Sequence, residues 1–188
     1  MPAPQVSRRG RLTKLDYYDL PELGPRYQLI EGDMFMAPAP DRSHQNSAGN
    51  LYYHLRRYLE ANRVGVVYMA PVDVELDDLN VYQPDIVFVR HERSAILTDH
   101  GVAGAPNLVI EVLSPKTARF DLGLKRQTYF RTGVEELWIV DPQKRTLAIY
   151  RQSLNEELPA ATLRAGDILT SPVLPGFVVQ IAAVFSEL

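Results

Sequence analysis

Three runs along the chain are apolar on both alternating faces of an extended backbone: Asp85-Ile-Val-Phe-Val, Leu108-Val-Ile-Glu-Val-Leu and Leu137 to Val140. A strand with one solvated face alternates apolar and polar, so unbroken runs predict central strands covered on both sides. Tyr27-Gln28-Leu29-Ile30 and Met34-Phe35-Met36 flank Glu31-Gly32-Asp33, which predicts a hairpin with a glycine turn, ended by Pro38 and Pro40. Leu51, Leu55 and Leu59 recur every four residues and predict the buried stripe of a helix capped by Asp41 or Ser43 and running to about Asn62. A second helix is expected over about Ala118 to Thr132, with Gly133 just past its end. Val64 to Met69 and Val72 to Leu76 read as two strands, or as one strand bent at Pro71. A loop rich in Gly and Ala leads into Leu108, and Thr146 to Arg151 pairs antiparallel after the Asp141-Pro142 turn. Residues 1–25 read as a poorly ordered arm with one short helix, Lys14 to Asp19, stopped by Pro21. The tail from Gly166 to Phe177 is turn-rich, with short strands and a few helical residues after it.

The strand, helix, strand unit from Leu108 to Val140 is long enough for a right-handed parallel crossover. The expected fold is α/β (α+β), a mixed central sheet flanked by helices on both faces. It forms a single domain over residues 26–188, behind the arm.

Composition narrows the class. With 188 residues, 46% of them apolar, and a net charge of −3, the chain is not disordered. The absence of cysteine excludes a disulfide scaffold and a thiolate zinc site. No stretch approaches the roughly 18 apolar residues of a membrane span, and the N-terminal arginines precede no apolar core of a secretion signal. A cytoplasmic, globular protein is expected. A pI near 5.8 argues against a surface coated in positive charge for nucleic acid. The charge is uneven, however: residues 71–85 carry five acids and no base, whereas residues 114–151 carry eight bases against four acids. An acidic belt beside a basic segment fits a metal site next to a phosphate-binding surface, and it equally fits ordinary solvated loops and helix faces.

Glu111 breaks the burial pattern most sharply, because alternation places it on the face of Val109 and Leu113. A carboxylate in an apolar strand is costly unless paired, protonated or bound to a metal. Asp85 stands at the start of another central strand. If the two strands are neighbours, spaced about 5 Å apart, both acids can hold one hard cation; a salt bridge or a polar strand end is the plainer alternative. The chain contains no GxxxxGK phosphate loop, GxGxxG turn, GxSxG elbow or HExxH helix.

Pro84-Asp85, followed after about 25 residues by Glu111 in an apolar strand, resembles the PD-(D/E)XK phosphodiesterase superfamily. The resemblance is closest to its Uma-type restriction endonuclease branch. It is carried by YQLIEGDMFMAPAP, His44 opening the next helix, QPDIVFV, LVIEVLSP, Asp121 with Lys125, Tyr129, GVEELWIVDP and SPVLPGF, spanning about residues 27–178. It implies a restriction-endonuclease-like core in which Asp85 and Glu111 bind Mg²⁺ or Mn²⁺ and a lysine positions or activates water. The usual lysine position, two residues after Glu111, holds Leu113. Lys125, on the crossover helix, is the expected replacement; Lys116 is less constrained, in a loop after Pro115. Glu31 and His44 complete the implied catalytic set, with Gln83, Arg119 and Arg126 as weaker candidates for contacting substrate phosphates. The implied protein is a metal-dependent endonuclease acting on nucleic acid, expected to be DNA, in a homodimer or higher homo-oligomer. The alternative is a catalytically inactive nuclease-fold module for binding or assembly.

Overall fold

A computed structural model of the chain describes residues 10–20, 27–36, 39–114, 118–154 and 157–187, apart from the side chains of Arg119 and Phe120. In chain order the elements are α1 (Lys14–Tyr18), β1 (Tyr27–Ile30), β2 (Asp33–Met36), α2 (Arg42–Ala61), β3 (Gly65–Met69), β4 (Asp73–Asp77), β5 (Asn80–Tyr82) and β6 (Ile86–Arg90). After a 3₁₀ turn at His91–Ile96 come β7 (Leu97–Thr98), β8 (Gly101–Ala103), β9 (Leu108–Val112), α3 (Ala118–Asp121), α4 (Leu124–Thr132), β10 (Glu136–Asp141) and β11 (Thr146–Arg151). The chain closes with β12 (Ala161–Leu163), β13 (Ile168–Leu169), β14 (Val179–Gln180) and α5 (Ile181–Val184).

The central sheet has the order β12-β11-β10-β9-β6-β3 and is mixed: β9 and β10 are parallel and its other pairs antiparallel. The parallel pair is joined through α3 and α4, the crossover that the run lengths predict. A second sheet, β2-β1-β5-β4-β8-β7, is built from the N-terminal hairpin and the segments between β3 and β9. Side chains on the two faces of the central sheet enter separate cores. Ile86, Phe88, Leu108, Ile110 and Trp138 pack with Leu51 and Leu55 of α2 and with the C-terminal segment. Val87, Val89, Val109, Leu137 and Ile139 pack with Tyr129 and Phe130 of α4 and with Val74, Tyr82 and Val102 of the second sheet. Leu51 and Leu55 are fully buried, each contributing about 1.5–3 kcal/mol of apolar burial.

Four expectations are refined. Residues 64–76 form two strands in different sheets, β3 and β4, and not one bent strand. The stretch read as a Gly- and Ala-rich loop contains the 3₁₀ turn, β7 and β8. The crossover helix is broken in two, because Gly123 takes φ −117° and ψ −104°, outside the helical region. Asp85 lies one residue before its strand. The helix in the arm forms and buries Tyr17 against Leu29, Met34 and Val81 of the second sheet; residues 1–9 of the arm lie outside the described residues. Gly133, at φ +107°, ends α4 in the left-handed conformation that favours glycine.

Candidate functional site

Antiparallel pairing of β6 with β9 sets Val87 opposite Val109 and Ile86 opposite Ile110. One further step along that register brings Asp85 opposite Glu111, on the face that meets α4. The backbone N–H of Val112 donates to Oδ2 of Asp85 at 2.7 Å, tying the residue before β6 to the end of β9. Two carboxylates separated by 26 positions thus come to the same end of an apolar sheet, near enough for the Asp85 charge to act on Glu111.

The third member comes from α4. Lys125 Nζ lies 2.5 Å from Oε1 of Glu111 and 3.0 Å from Oδ1 of Asp121, with all three side chains between 3% and 5% exposed. The i, i+4 pairing of Asp121 with Lys125 does form, but it is buried and aimed at the sheet, not an exposed helix-surface pair. Leu113, which holds the position of the missing lysine, packs half-buried against the apolar cluster beneath α4. Tyr129, one turn beyond Lys125, donates its hydroxyl to Oε1 of Glu111 at 2.6 Å and meets the Tyr82 ring edge-on.

Burial pushes the Glu111 carboxyl up to about 8, with the Lys125 ammonium opposing the shift and the Asp121 and Asp85 charges adding to it. Burial disfavours the Lys125 charge, yet Asp121 and Glu111 together hold its pKa above the usual lysine range. The ammonium is therefore the fixed charge of the trio, and the proton of Glu111 is the mobile one. Burial, and then the Glu111 charge it faces, lifts Tyr129 well above the usual phenol range, so it remains a donor.

His44 is in the first turn of α2, where Oδ1 of Asp41 caps the helix by accepting from the His44 backbone N–H at 2.9 Å. Its Nε2 lies 3.3 Å from Oδ2 of Asp85. Burial works against protonation of this imidazole, but the hydrogen bond and charge of Asp85 prevail and its pKa is raised. Its Nδ1 is buried without a hydrogen-bond partner. His44, Gln83, Asp85, Glu111, Asp121 and Lys125 all line one cavity of about 270 Å³. Gln28, Gln45 and Ser114 line it too; in the sequence only the position of Gln45 beside His44 hinted at this.

The remaining candidates stand elsewhere. Glu31 sits in the hairpin turn at φ +51° and does not line the cavity. Its Oε1 accepts from Thr128 at 3.2 Å and from Arg131 at 3.3 Å, on the adjoining turn of α4. Arg126 donates to the Glu157 carbonyl at 2.9 Å and lies over the Tyr150 ring, away from the two strand acids. The side chain of Arg119, and Lys116, lie outside the described residues. Gln83 faces the cavity while donating to Asp73 at 2.8 Å. Buried acid alone does not mark the site: Glu136 is fully buried, but Trp138 and Arg151 satisfy its two oxygens.

The donor set suits a hard divalent ion. The contacts of His44 and Val112 engage one oxygen of Asp85, and those of Lys125 and Tyr129 engage one oxygen of Glu111. Among the described residues no group of three or more His, Cys, Asp or Glu side chains is arranged to hold a metal. Two carboxylates nevertheless fit Mg²⁺, which keeps several waters and is typically held by one or two carboxylates plus substrate phosphate.

Among the described residues no helix is long and apolar enough to cross a membrane. No curated protein matches the chain. The fold is similar to that of a crystal structure from Anabaena variabilis ATCC 29413, described as "a putative nuclease belonging to DUF820". The two agree with a TM-score of 0.77 at 20% sequence identity, over 93% of this chain and 97% of that one. The family described as "Uma2: Putative restriction endonuclease" matches residues 15–182, and the chain belongs to it.

Proposed function

We propose that the protein is a metal-dependent endonuclease that hydrolyses phosphodiester bonds of nucleic acid, DNA in the first place. The observation that carries this reading is the convergence of Lys125 from α4 on Glu111 from β9, beside Asp85. A divalent ion held by Asp85 and Glu111 supplies Lewis acidity, neutralising charge on a phosphate and making water more acidic. Lys125, fixed from behind by Asp121, places a permanent positive charge on the cavity wall where the reacting phosphate gains negative charge. Tyr129 holds the Glu111 carboxylate in one orientation, as outer-shell donors commonly do for metal ligands. His44, kept protonated by Asp85 at mildly acidic pH, is placed at the N-terminal end of α2, where an anion is favoured by the helix dipole. Its unpartnered Nδ1 is a donor available to a phosphate oxygen or a water in the same cavity.

A second reading, a nuclease fold serving as an inert module, draws on the Glu111–Lys125 contact itself: Lys125 is already met by both Glu111 and Asp121, so the buried cluster closes without a metal. Cleavage of DNA in Mg²⁺ or Mn²⁺ by wild type and by Asp85→Asn, Glu111→Gln and Lys125→Met separates the two. The nuclease reading expects cleavage by wild type and a loss of at least a hundredfold in each variant. Absence of cleavage by wild type, or its persistence in all three variants, overturns it.

A further inference from the structure

A second, larger cavity of about 460 Å³ opens where the end of β3 and the start of β4 face the β7–β8 turn. It adjoins the candidate catalytic cavity, because Met69, Pro71 and Gln83 line both. A phosphate chain threaded through the smaller cavity therefore places the neighbouring nucleotide at the larger one.

The chemistry of the two cavities differs. The smaller holds a buried ammonium and a histidine beside three carboxylates, two of them the proposed ion ligands Asp85 and Glu111. Among its described lining residues the larger has no lysine or arginine; its titratable groups besides Tyr68 are Asp73, Asp99 and the exposed His100. A phosphate therefore finds neither a buried ammonium nor the proposed ion there. A neutral, flat group with amino donors and an aromatic face needs neither. Tyr68, 40% exposed, offers a ring on which a base can stack, with Met69 beside it. Asp73 is already engaged, accepting from Tyr17 and Gln83 at 3.0 and 2.8 Å. Asp99 is exposed at the rim, and a carboxylate there accepts from exocyclic amino groups of bases. The volume is within the roughly 300–1,000 Å³ of small-ligand sites.

We propose that this groove takes one unpaired nucleobase adjoining the phosphate bound at Asp85, Glu111 and Lys125. The preferred substrate is then single-stranded or locally unpaired nucleic acid, not an intact duplex. The proposal rests on the nuclease reading for the position of the phosphate and adds the class of substrate. A base stacked in a duplex presents its edges but not its face, so only an extruded or unpaired base can occupy the groove.

The test is a binding titration without divalent metal, using a short single-stranded oligodeoxynucleotide that carries 2-aminopurine at one position in turn, with the blunt duplex of the same sequence as competitor. The expected result is a fluorescence change confined to one position and a single-strand affinity at least tenfold above that of the duplex. Tyr68→Ala, at an exposed site, is expected to lose that signal and about tenfold or more in affinity, the loss typical of one stacked base. Asp99→Asn is expected to alter the preference among bases at that position. An unchanged thermal transition in both variants establishes that they fold. Equal affinity for single strand and duplex, or wild-type affinity and signal in Tyr68→Ala, overturns the proposal. Failure of the nuclease reading looks different: Tyr68-dependent binding would persist, with no cleavage on adding Mg²⁺ or Mn²⁺.

Discussion

Replacing Lys125 with methionine removes the one ammonium among three side chains that are each no more than 5% exposed, while nearly preserving volume. Glu111 and Asp121 are left buried with no cation between them. Removing one partner from a buried ion pair typically costs about 3–5 kcal/mol. For a chain of this length that lowers the melting temperature by roughly 10 °C. The cost depends on pH, and its sign follows from the carboxyls. A carboxyl whose folded pKa is raised, as Glu111 is from 4.5 to about 8, contributes stability that is fully present below the unfolded value and lost as pH rises through the folded one. Without the ammonium the folded pKa of Glu111 rises further. Below about pH 8 Glu111 is protonated in both proteins and its share of the penalty is level; the penalty in Lys125→Met therefore grows between about pH 7 and about pH 9, where wild type can ionise Glu111 beside the ammonium and the variant cannot. Urea unfolding of wild type and variant, followed by circular dichroism at the two pH values, measures the difference directly. A penalty below about 1 kcal/mol at both pH values would mean that Lys125 is a solvated helix-surface residue, and one that does not grow with pH would mean that it does not face the Glu111 charge.

Other consequences can be measured separately. Tyr129→Phe removes the 2.6 Å donor to Glu111 and is expected to cost about 1.5–3 kcal/mol while weakening Mn²⁺ binding, read by calorimetry; unchanged affinity would show that the tyrosine only packs. The imidazole of His44 is expected to titrate above its ordinary 6.5 in an NMR pH series. Its contribution to stability is thus present below that value and lost as pH rises through the folded pKa, so His44→Gln differs from wild type more at mildly acidic than at alkaline pH. An imidazole pKa at or below 6.5 would contradict the Asp85 contact. Glu31→Gln is expected to leave Mn²⁺ affinity unchanged, because Glu31 faces Thr128 and Arg131 and not the cavity; a large loss would place it among the ligands.

What could be read from the chain follows from the range over which each signal acts. β9 and the first five residues of β10 are buried on both faces, and α2 repeats its leucines at 51, 55 and 59 over about two turns, so local periodicity sufficed. That Asp85 and Glu111 line one cavity is legible in part, because alternation along two strands puts both acids on one face once the strands adjoin. β5, β7 and β8 are only two or three residues long. They have no period of their own and exist through pairing with residues distant in sequence. The break at Gly123 hid inside an otherwise helical stretch. Lys125 could be named but not its burial, since Asp121 four residues earlier offers the same pattern on a solvated helix. Glu31 shows the converse, because a turn acid next to a glycine gives no clue to which neighbour it faces. Arg126 likewise has the right charge on the right helix, and only the packing of α4 shows it turned towards Tyr150.

The proposed ion site, one divalent ion shared by Asp85 and Glu111, is open to direct measurement. Calorimetric titration with Mn²⁺ of wild type, Asp85→Asn and Glu111→Gln tests it without relying on any substrate. One ion per chain is expected in wild type, with affinity rising as pH passes from about 6 to about 9 and Glu111 gives up its proton, and loss of binding in each variant. Absence of binding in wild type, or equal binding in all three proteins, would contradict it.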